Sequence, residues 1–317
     1  MKKALITGAA GFVGSHLTEY LNKNNIQVTT LIHPKHSIEN LKQFTKKISK
    51  IEIDLLKKRS LKKIDFKDYN YLFHLAAFSS PAQSFHYPQL TLKNNIFGQI
   101  NLLEEVARQK SKVKILIVGS ADEYGDVEKK YLPVNEDTPL APTSPYAVSK
   151  VAQDMLGYQF FLNNGLNIVR VRPFNHIGPR QSTKFVVPAF ASQIAKIETI
   201  GKGIIKVGNL NTWRDITDVR DIVKAYLLAL DKGRVGDVYN LGSAKAVRIA
   251  DILTKLISLS SVEVKIVQDR SLFRKVEIQR IYCDYSKFKK DTGWEPTIPL
   301  EKTLFDTIEY ERDKIKN

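Results

Sequence analysis

The sequence has one cysteine, Cys283, so it holds no internal disulfide framework and offers no cysteine cluster for a metal. No apolar stretch comes close to the roughly 20 residues that a membrane-spanning helix needs. The opening Met1-Lys2-Lys3-Ala4-Leu5-Ile6-Thr7-Gly8 sets basic residues before apolar ones. Its apolar run ends within three residues, too short for a secretion signal, so a cytoplasmic protein is expected. Acidic residues are scarce: 33 Asp and Glu face 49 Lys and Arg, leaving a formal charge of +16. The excess lysine comes as scattered pairs, such as Lys46-Lys47, Lys62-Lys63 and Lys289-Lys290, without aromatic-basic interleaving or zinc-finger spacing. A lysine-rich solvated surface accounts for it, nucleic acid is not an expected partner, and the same field favours a polyanionic small substrate. Internal repeats and low-complexity tracts are absent too.

What is present is an alternation of strands and helices. Residues 3–7 form a short apolar strand that runs into Gly8-Ala9-Ala10-Gly11-Phe12-Val13-Gly14 and then into a helix through Leu21. In this context Gly8 permits a tight turn, Gly11 lets backbone approach a pyrophosphate, and Gly14 allows close helix–strand packing. The free N–H groups and positive dipole end of the helix then face the phosphates. A second strand spans 27–32. The residue at its end discriminates dinucleotides: a carboxylate binds a ribose 2′-hydroxyl, an arginine a 2′-phosphate. His33 stands there, followed by Pro34-Lys35-His36, so NAD and NADP both stay open, with NADPH slightly preferred.

Further strands are expected over 51–55, 71–77, 113–118 and 167–172, with helices over 94–106 and from Pro145. Asp54 is placed to cap the third strand or to touch an adenine amino group, and His74 reads as a hydrogen-bonded core histidine. Strands alternating with helices this regularly imply an α/β fold, a Rossmann-type doubly wound parallel sheet. The expected division is a dinucleotide-binding domain over 1–172, joined by about 212–244 and 278–292. A smaller α/β substrate-binding domain is expected from 173–211, 245–277 and 293–317, interleaved with the first.

Tyr146 and Lys150 are four residues apart and project from one face of the Pro145 helix. An ammonium beside a phenol pulls its pKa down from about 10, which turns a tyrosine into a usable acid or base. Ser120 ends the fifth strand at the carboxyl edge of the sheet, where ligands of open α/β sheets bind. There it would give a second hydrogen bond to developing negative charge. A nicotinamide held by the glycine loop would supply or take a hydride. Each piece has a plain alternative: a turn into a helix, a capping serine, a solvated helix face. Together they describe a carbonyl/alcohol redox centre.

Gly8-x-x-Gly11-x-x-Gly14, Ser120, Tyr146-x-x-x-Lys150 and Pro173-Phe174-Asn175 resemble the extended short-chain dehydrogenase/reductases, the NAD-dependent epimerase/dehydratase family of nucleotide-sugar enzymes. The resemblance covers essentially the whole chain, through His74-Leu75-Ala76-Ala77, Asn95-Ile96-Phe97-Gly98, Arg214-Asp215-x-x-x-Val219-x-Asp221 and Thr292-Gly293-Trp294-x-Pro296. Within the family, Gly119-Ser120-Ala121-Asp122-Glu123-Tyr124-Gly125, Phe174 to Pro179 and Ile205 to Asn209 look most like the GDP-4-keto-6-deoxy-D-mannose reductases, which make GDP-D-rhamnose.

The resemblance implies an NAD or NADP molecule held by Gly8, Gly11, Phe12, Val13 and Gly14, with His33, Asp54 and Leu55 beside its adenosine half. Leu75, Ala76, Ala77, Asn95, Tyr146, Lys150 and Pro173 would flank the rest of the cofactor. It implies a GDP-sugar met by Ser79, Ser120 and Asn175, and by Val186, Val187 and Lys206 at the nucleotide, with apolar packing an equally good account of the two valines. Arg214, Arg274 and Glu277 complete that set, Arg274 pairing with the pyrophosphate through a bidentate fork, although Lys275 stands where relatives usually have proline. No metal is implied. A homodimer through a bundle of the Asn95 and Tyr146 helices is.

The loop after Ser120 bears on the reaction. Related dTDP-glucose dehydratases carry an acid–base Asp-Glu pair there, whereas this chain has Ala121 and Asp122. The resemblance therefore favours NAD(P)H-dependent reduction of the 4-keto group of a GDP-4-keto-6-deoxyhexose. Tyr146 would protonate the carbonyl oxygen, Ser120 polarise it, and Lys150 lower the Tyr146 pKa and bind the nicotinamide ribose. With Asp122 as the remaining carboxylate, a 4,6-dehydratase or 4-epimerase with tightly bound NAD(P) is the alternative. A non-enzymatic reading, an inactive nucleotide-binding dimer, has the intact Ser120, Tyr146 and Lys150 against it.

Overall fold

The structure, a computed structural model, describes residues 1–273 and 276–316. Its first six strands are β1 (Lys3–Thr7), β2 (Gln27–Ile32), β3 (Ile48–Glu52), β4 (Tyr71–His74), β5 (Lys114–Val118) and β6 (Ile168–Pro173). Later come β7 (Asn175–Ile177), β8 (Lys202–Val207), β9 (Trp213–Asp218), β10 (Val238–Leu241), β11 (Ala246–Arg248), β12 (Glu263–Gln268) and β13 (Arg280–Ile281). β1 to β6 and β10 form one parallel sheet in the order β10-β6-β5-β4-β1-β2-β3. The order reverses beside β1, the switch point at which open α/β sheets bind their ligands.

The helices are α1 (Phe12–Lys23), α2 (Lys58–Leu61), α3 (Pro81–Ser84), α4 (Pro88–Leu92), α5 (Gly98–Arg108), α6 (Pro145–Asn164), α7 (Val186–Glu198), α8 (Val219–Lys232), α9 (Ile249–Ser258), α10 (Ser286–Thr292) and α11 (Leu300–Lys316). Successive strand residues face opposite sides, which splits the core in two. Ala4, Ile6 and Phe73 pack with Leu17 and Leu21 of α1 and with Ile222, Val223 and Tyr226 of α8. Leu5, Leu72, Ile115 and Ile117 pack on the other face with Leu102, Leu103 and Val106 of α5 and Phe160 of α6. That is the doubly wound arrangement expected from the alternation. Among the described residues no helix is long and apolar enough to cross a membrane.

Three boundaries differ from the expectation. The third strand runs over 48–52, not 51–55, because the chain turns at Asp54: its side chain accepts Leu56 N–H at 3.0 Å and its carbonyl accepts Lys57 N–H at 2.9 Å. The fourth strand stops at His74 rather than Ala77, since after Leu75 the next N–H, of Ala76, turns to the Thr7 hydroxyl at 3.1 Å. The helix expected over 94–106 passes through a wide turn at Lys93–Phe97 before α5.

From β6 the chain passes directly through Phe174 into β7, which pairs with β9 in a second sheet of order β11-β9-β13. Asp218, the last residue of β9, caps α8 by accepting Arg220 N–H at 2.7 Å. The second sheet is thereby tied to the carboxyl edge of the first. A third apolar cluster, with Val187, Phe190 and Ile194 of α7, Ile252 and Leu256 of α9 and Leu304 and Ile308 of α11, lies behind it.

Candidate active site

The glycine loop is built by close approach. Gly8 has a left-handed φ of 72°, and a Cβ there would stand 2.8 Å from Ala76 N. A Cβ on Gly14 would fall 2.3 Å from the Gly8 carbonyl oxygen, so α1 packs on β1 at a distance only glycine permits. Gly11 is exposed and starts α1 without any side-chain cap, and the first turn carries no acidic residue. Uncapped N–H groups at an acid-free helix start suit a pyrophosphate. Phe12 stacks on His176 with ring centroids 6.0 Å apart, and Val13 is half-buried beside it. Leu75, Ala76 and Ala77 follow β4 on the same edge and are half-buried. This cradle fits a nicotinamide dinucleotide.

At the adenosine end, His33 is half-buried and its Nδ1 accepts Lys35 N–H at 3.2 Å, while its ring lies 5.1 Å from that of His36. Asp54 serves as a turn cap, and the Leu55 carbonyl accepts the Asn101 amide at 2.8 Å. Asn95, expected at the cofactor, is fully buried. Its amide is taken up by Phe78 N–H at 2.7 Å, the Phe78 carbonyl at 3.3 Å and the Ser149 hydroxyl at 2.8 Å. It fixes the turn after Ala77 instead of facing a ligand. His74, read as core, is buried, bonds Thr7 Oγ1 at 2.9 Å, and is pulled by burial down to about 3.

Ser144 caps α6 by accepting Ala147 N–H at 3.1 Å, Pro145 opens its first turn, and Gly165 closes it in the left-handed region. This rigid helix carries Tyr146 and Lys150 beneath the end of β5. Ser120 caps the short turn Ala121–Tyr124, its Oγ accepting Asp122 N–H at 3.2 Å, and it hydrogen-bonds the Tyr146 phenol. Ser120, Tyr146 and Lys150 are therefore one constellation.

Burial offsets the expected fall of the Tyr146 pKa. With the Asp122 charge second, it holds the phenol above its ordinary range, against the Ser120 hydrogen bond that pulls it down. The Lys150 Nζ lies 5.9 Å from the ring centroid and gives hydrogen bonds to the Val118 carbonyl at 2.8 Å and Gln153 Oε1 at 2.9 Å. Burial pulls Lys150 itself down to about 8, so at neutral pH it still carries its charge.

On the opposite side, Asn175 in β7, Ser79 and Lys206 in β8 are exposed, and Pro173 is buried where β6 ends. Arg214 donates to the Trp213 carbonyl at 2.9 Å and stands 3.6 Å from Glu277, so two expected substrate residues pair with each other. Val186 is exposed, but Val187 is buried in the third cluster. The turn of α7 sends that side chain inward, where it packs and does not face a ligand. Arg274 lies outside the described residues.

A buried polar network behind Ser120 escaped the sequence reading. Asp154, two turns beyond Tyr146 on α6, accepts Arg170 Nη1 at 2.6 Å and Arg172 Nε at 2.7 Å, and Glu123 lies 3.2 Å from Arg172 Nε. The signal was available: two arginines inside an apolar strand call for buried acids. Among the described residues no group of His, Cys, Asp and Glu could hold a metal ion.

Comparison with known proteins agrees with this geometry. The family model for GDP-mannose 4,6 dehydratase matches residues 5–307. A GDP-6-deoxy-D-mannose reductase of Pseudomonas aeruginosa is 32% identical over 304 residues, covering 96% of this chain and 95% of the relative. The structure of RMD from Pseudomonas aeruginosa complexed with NADPH superposes with a TM-score of 0.87 at 31% identity, over 99% of this chain and 100% of that one. A UDP-glucose 4-epimerase from Thermotoga maritima, solved with UDP-glucose, reaches a TM-score of 0.90 at 29% identity over 99% of each chain.

Proposed function

The chain belongs to the GDP-mannose 4,6-dehydratase family, and within it we propose that it reduces the 4-keto group of a GDP-4-keto-6-deoxyhexose with NADPH or NADH, giving a GDP-D-rhamnose-type product. It is an NAD(P)-dependent enzyme of the extended short-chain dehydrogenase/reductase type, working on nucleotide sugars.

The observation that carries the reduction is Ala121. Where related dTDP-glucose dehydratases carry an acid directly after their serine or threonine, this chain holds a buried methyl group, which has no proton to give to a leaving water. Tyr146, buried and hydrogen-bonded to Ser120, is a phenol with the proton that a reductase starts by giving. In this reading Tyr146 protonates the C4 oxygen and Ser120 donates a second hydrogen bond to it as charge develops. Nicotinamide, when bound, supplies the hydride for the carbonyl carbon. Gly8, Gly11, Gly14 and the start of α1 hold the pyrophosphate, and Lys150 binds the ribose. Asn175, Val186, Lys206, Arg214 and Glu277 meet the nucleotide sugar, with Arg274 on its pyrophosphate. We take the boundary between the cofactor and sugar halves to lie after residue 172, close to the point where β6 gives way to β7.

A 4,6-dehydratase is the second reading, favoured by Asp122, whose charge reaches Tyr146. Purified protein given enzymatically prepared GDP-4-keto-6-deoxymannose and reduced nicotinamide separates the two. Loss of nicotinamide absorbance matched by product supports the reductase and ranks the two cofactors. Turnover of GDP-mannose to a keto sugar without net loss moves the assignment to the dehydratase.

A homodimer belongs to this reading. Val148, Met155 and Leu162 recur every seven residues as an exposed apolar stripe on α6, and Leu90 and Phe97 stand exposed seven apart on the neighbouring helical segments. Such a double stripe suits a bundle formed with a second copy of the chain.

A further inference from the structure

Glu123 has no part in the site as read so far, yet it is the residue on which Ser120 is mounted. Its Oε1 accepts the Ser120 backbone N–H at 2.7 Å, and its own N–H returns to the Ser120 carbonyl at 3.1 Å. The side chain reaches this place only because residue 119 is glycine, since a Cβ there would lie 2.2 Å from Oε1. The Ser120 Oγ accepts a backbone N–H from the same turn, which leaves its hydroxyl hydrogen for the Tyr146 oxygen.

The second carboxyl oxygen, Oε2, is buried and receives no hydrogen bond. The Arg172 Nε–H lies 3.2 Å away but donates to Asp154 Oδ2 at 2.7 Å instead. A buried carboxylate oxygen without a donor is costly, whereas a protonated one has a ready acceptor in the Asp154 carboxylate that Glu123 meets side by side. The groups around it are Asp154, Lys150 and Tyr146 from α6, Arg170 and Arg172 from β6, and Asp122 and Tyr124 from its own turn. The two guanidiniums are already committed to Asp154. We propose that Glu123 is a positioning residue of the reaction, a neutral carboxylic acid that holds Ser120 for Tyr146 and keeps a second negative charge away from the Tyr146–Lys150 pair.

Burial, then the Asp154 charge, pushes the Glu123 carboxyl well above the usual carboxylate range. A negative charge at Glu123 would raise both the phenol of Tyr146 and the ammonium of Lys150. It would oppose the phenolate that forms as Tyr146 gives up its proton. The neutral acid leaves that step unhindered.

The role rests on the reductase reading, and its test has one arm that does not. Infrared difference spectra between Glu123→Gln and unsubstituted protein at neutral pH report the carbonyl stretch of a buried carboxylic acid without any turnover. Its presence is expected, and its absence overturns the neutral form. In the nicotinamide assay Glu123→Gln, which keeps the acceptor for Ser120 and offers an N–H to Asp154, is expected to stay within about threefold of the parent kcat. Glu123→Leu, which removes the mount, is expected to lose about 10–100-fold in kcat with KM for the nucleotide sugar little changed. As the pH rises the parent enzyme is expected to lose kcat in two parts, one from Lys150 that both proteins share and one from ionisation of Glu123 that Glu123→Gln lacks. A Gln variant as poor as the Leu variant, or a Leu variant with parental kcat, overturns the proposal. If the parent enzyme consumes no nicotinamide, the reductase reading fails and the infrared arm still decides the state of Glu123.

Discussion

Replacing Asp154 by asparagine removes one charge from a site that the solvent does not reach. The carboxylate is about 1% exposed and faces Arg170 Nη1 at 2.6 Å and Arg172 Nη2 at 2.6 Å, with the two guanidiniums 8% and 4% exposed. Taking one partner from a buried pair costs about 3–5 kcal/mol, because the remaining charges stay desolvated. Two guanidiniums share Asp154, which argues for the upper end. Glu123 argues for the lower, since it can release its proton and supply a new anion 3.2 Å from Arg172. A net loss of about 3 kcal/mol is expected, which at about 2–4 °C per kcal/mol lowers the unfolding midpoint by about 6–12 °C. Distance alone does not set this cost. Lys58 and Glu104 also approach to 2.6 Å but are about half exposed or more, and Lys58→Ala is expected to cost under about 1 kcal/mol. Thermal unfolding followed by circular dichroism, run on both variants at pH 7, checks the pair. A midpoint for Asp154→Asn as close to the parent as that of Lys58→Ala would refute the reasoning.

Tyr146→Phe keeps the buried ring and removes the proton, so kcat should fall by about 10²–10⁴ while GDP-sugar binding by calorimetry stays intact; normal turnover would remove Tyr146 from the chemistry. Gly14→Ala places a methyl group 2.3 Å from the Gly8 oxygen, and should cost about 1–3 kcal/mol of stability and at least a tenfold loss of dinucleotide affinity by fluorescence titration. His16 and His74, which burial pulls down to about 4 and about 3, take up protons in the unfolded chain before they do so in the folded one. Their contribution to stability is complete above about pH 6.5 and is lost as the pH falls towards those values, at about 1.4 kcal/mol per pH unit for each. Urea midpoints between pH 7 and pH 4 check the slope, and a His74→Gln variant should show less of it. Leu162→Asp puts a charge into the apolar stripe of α6 and should turn a dimer into a monomer in sedimentation equilibrium with nicotinamide binding retained.

Local patterns were legible in the sequence and long-range choices were not, and the residues show where the line falls. Gly8, Gly11 and Gly14 declare their turn within seven residues, and Ser144-Pro145 announces the helix that carries Tyr146 and Lys150. The spacing of that pair reads directly as one helix face. Which acceptors the Lys150 ammonium takes is decided elsewhere, by Val118 on β5 and by Gln153 one turn on. The third strand shows the same limit. Isoleucines stand at 48, 51 and 53, and only pairing with β2, which ends at Ile32 opposite Glu52, picks the window. Val186 and Val187 are indistinguishable until the direction in which α7 starts sends one outward and one into the core. The hardest case is Glu123. Its neighbours Asp154 and Arg172 lie 31 and 49 positions away, and no short pattern joins them. What the sequence does contain is a demand: Arg170 and Arg172 sit in a strand whose six residues are all buried, and buried guanidiniums must find acids. Following that demand to α6 leads to Asp154, and from Asp154 to the carboxyl group behind Ser120.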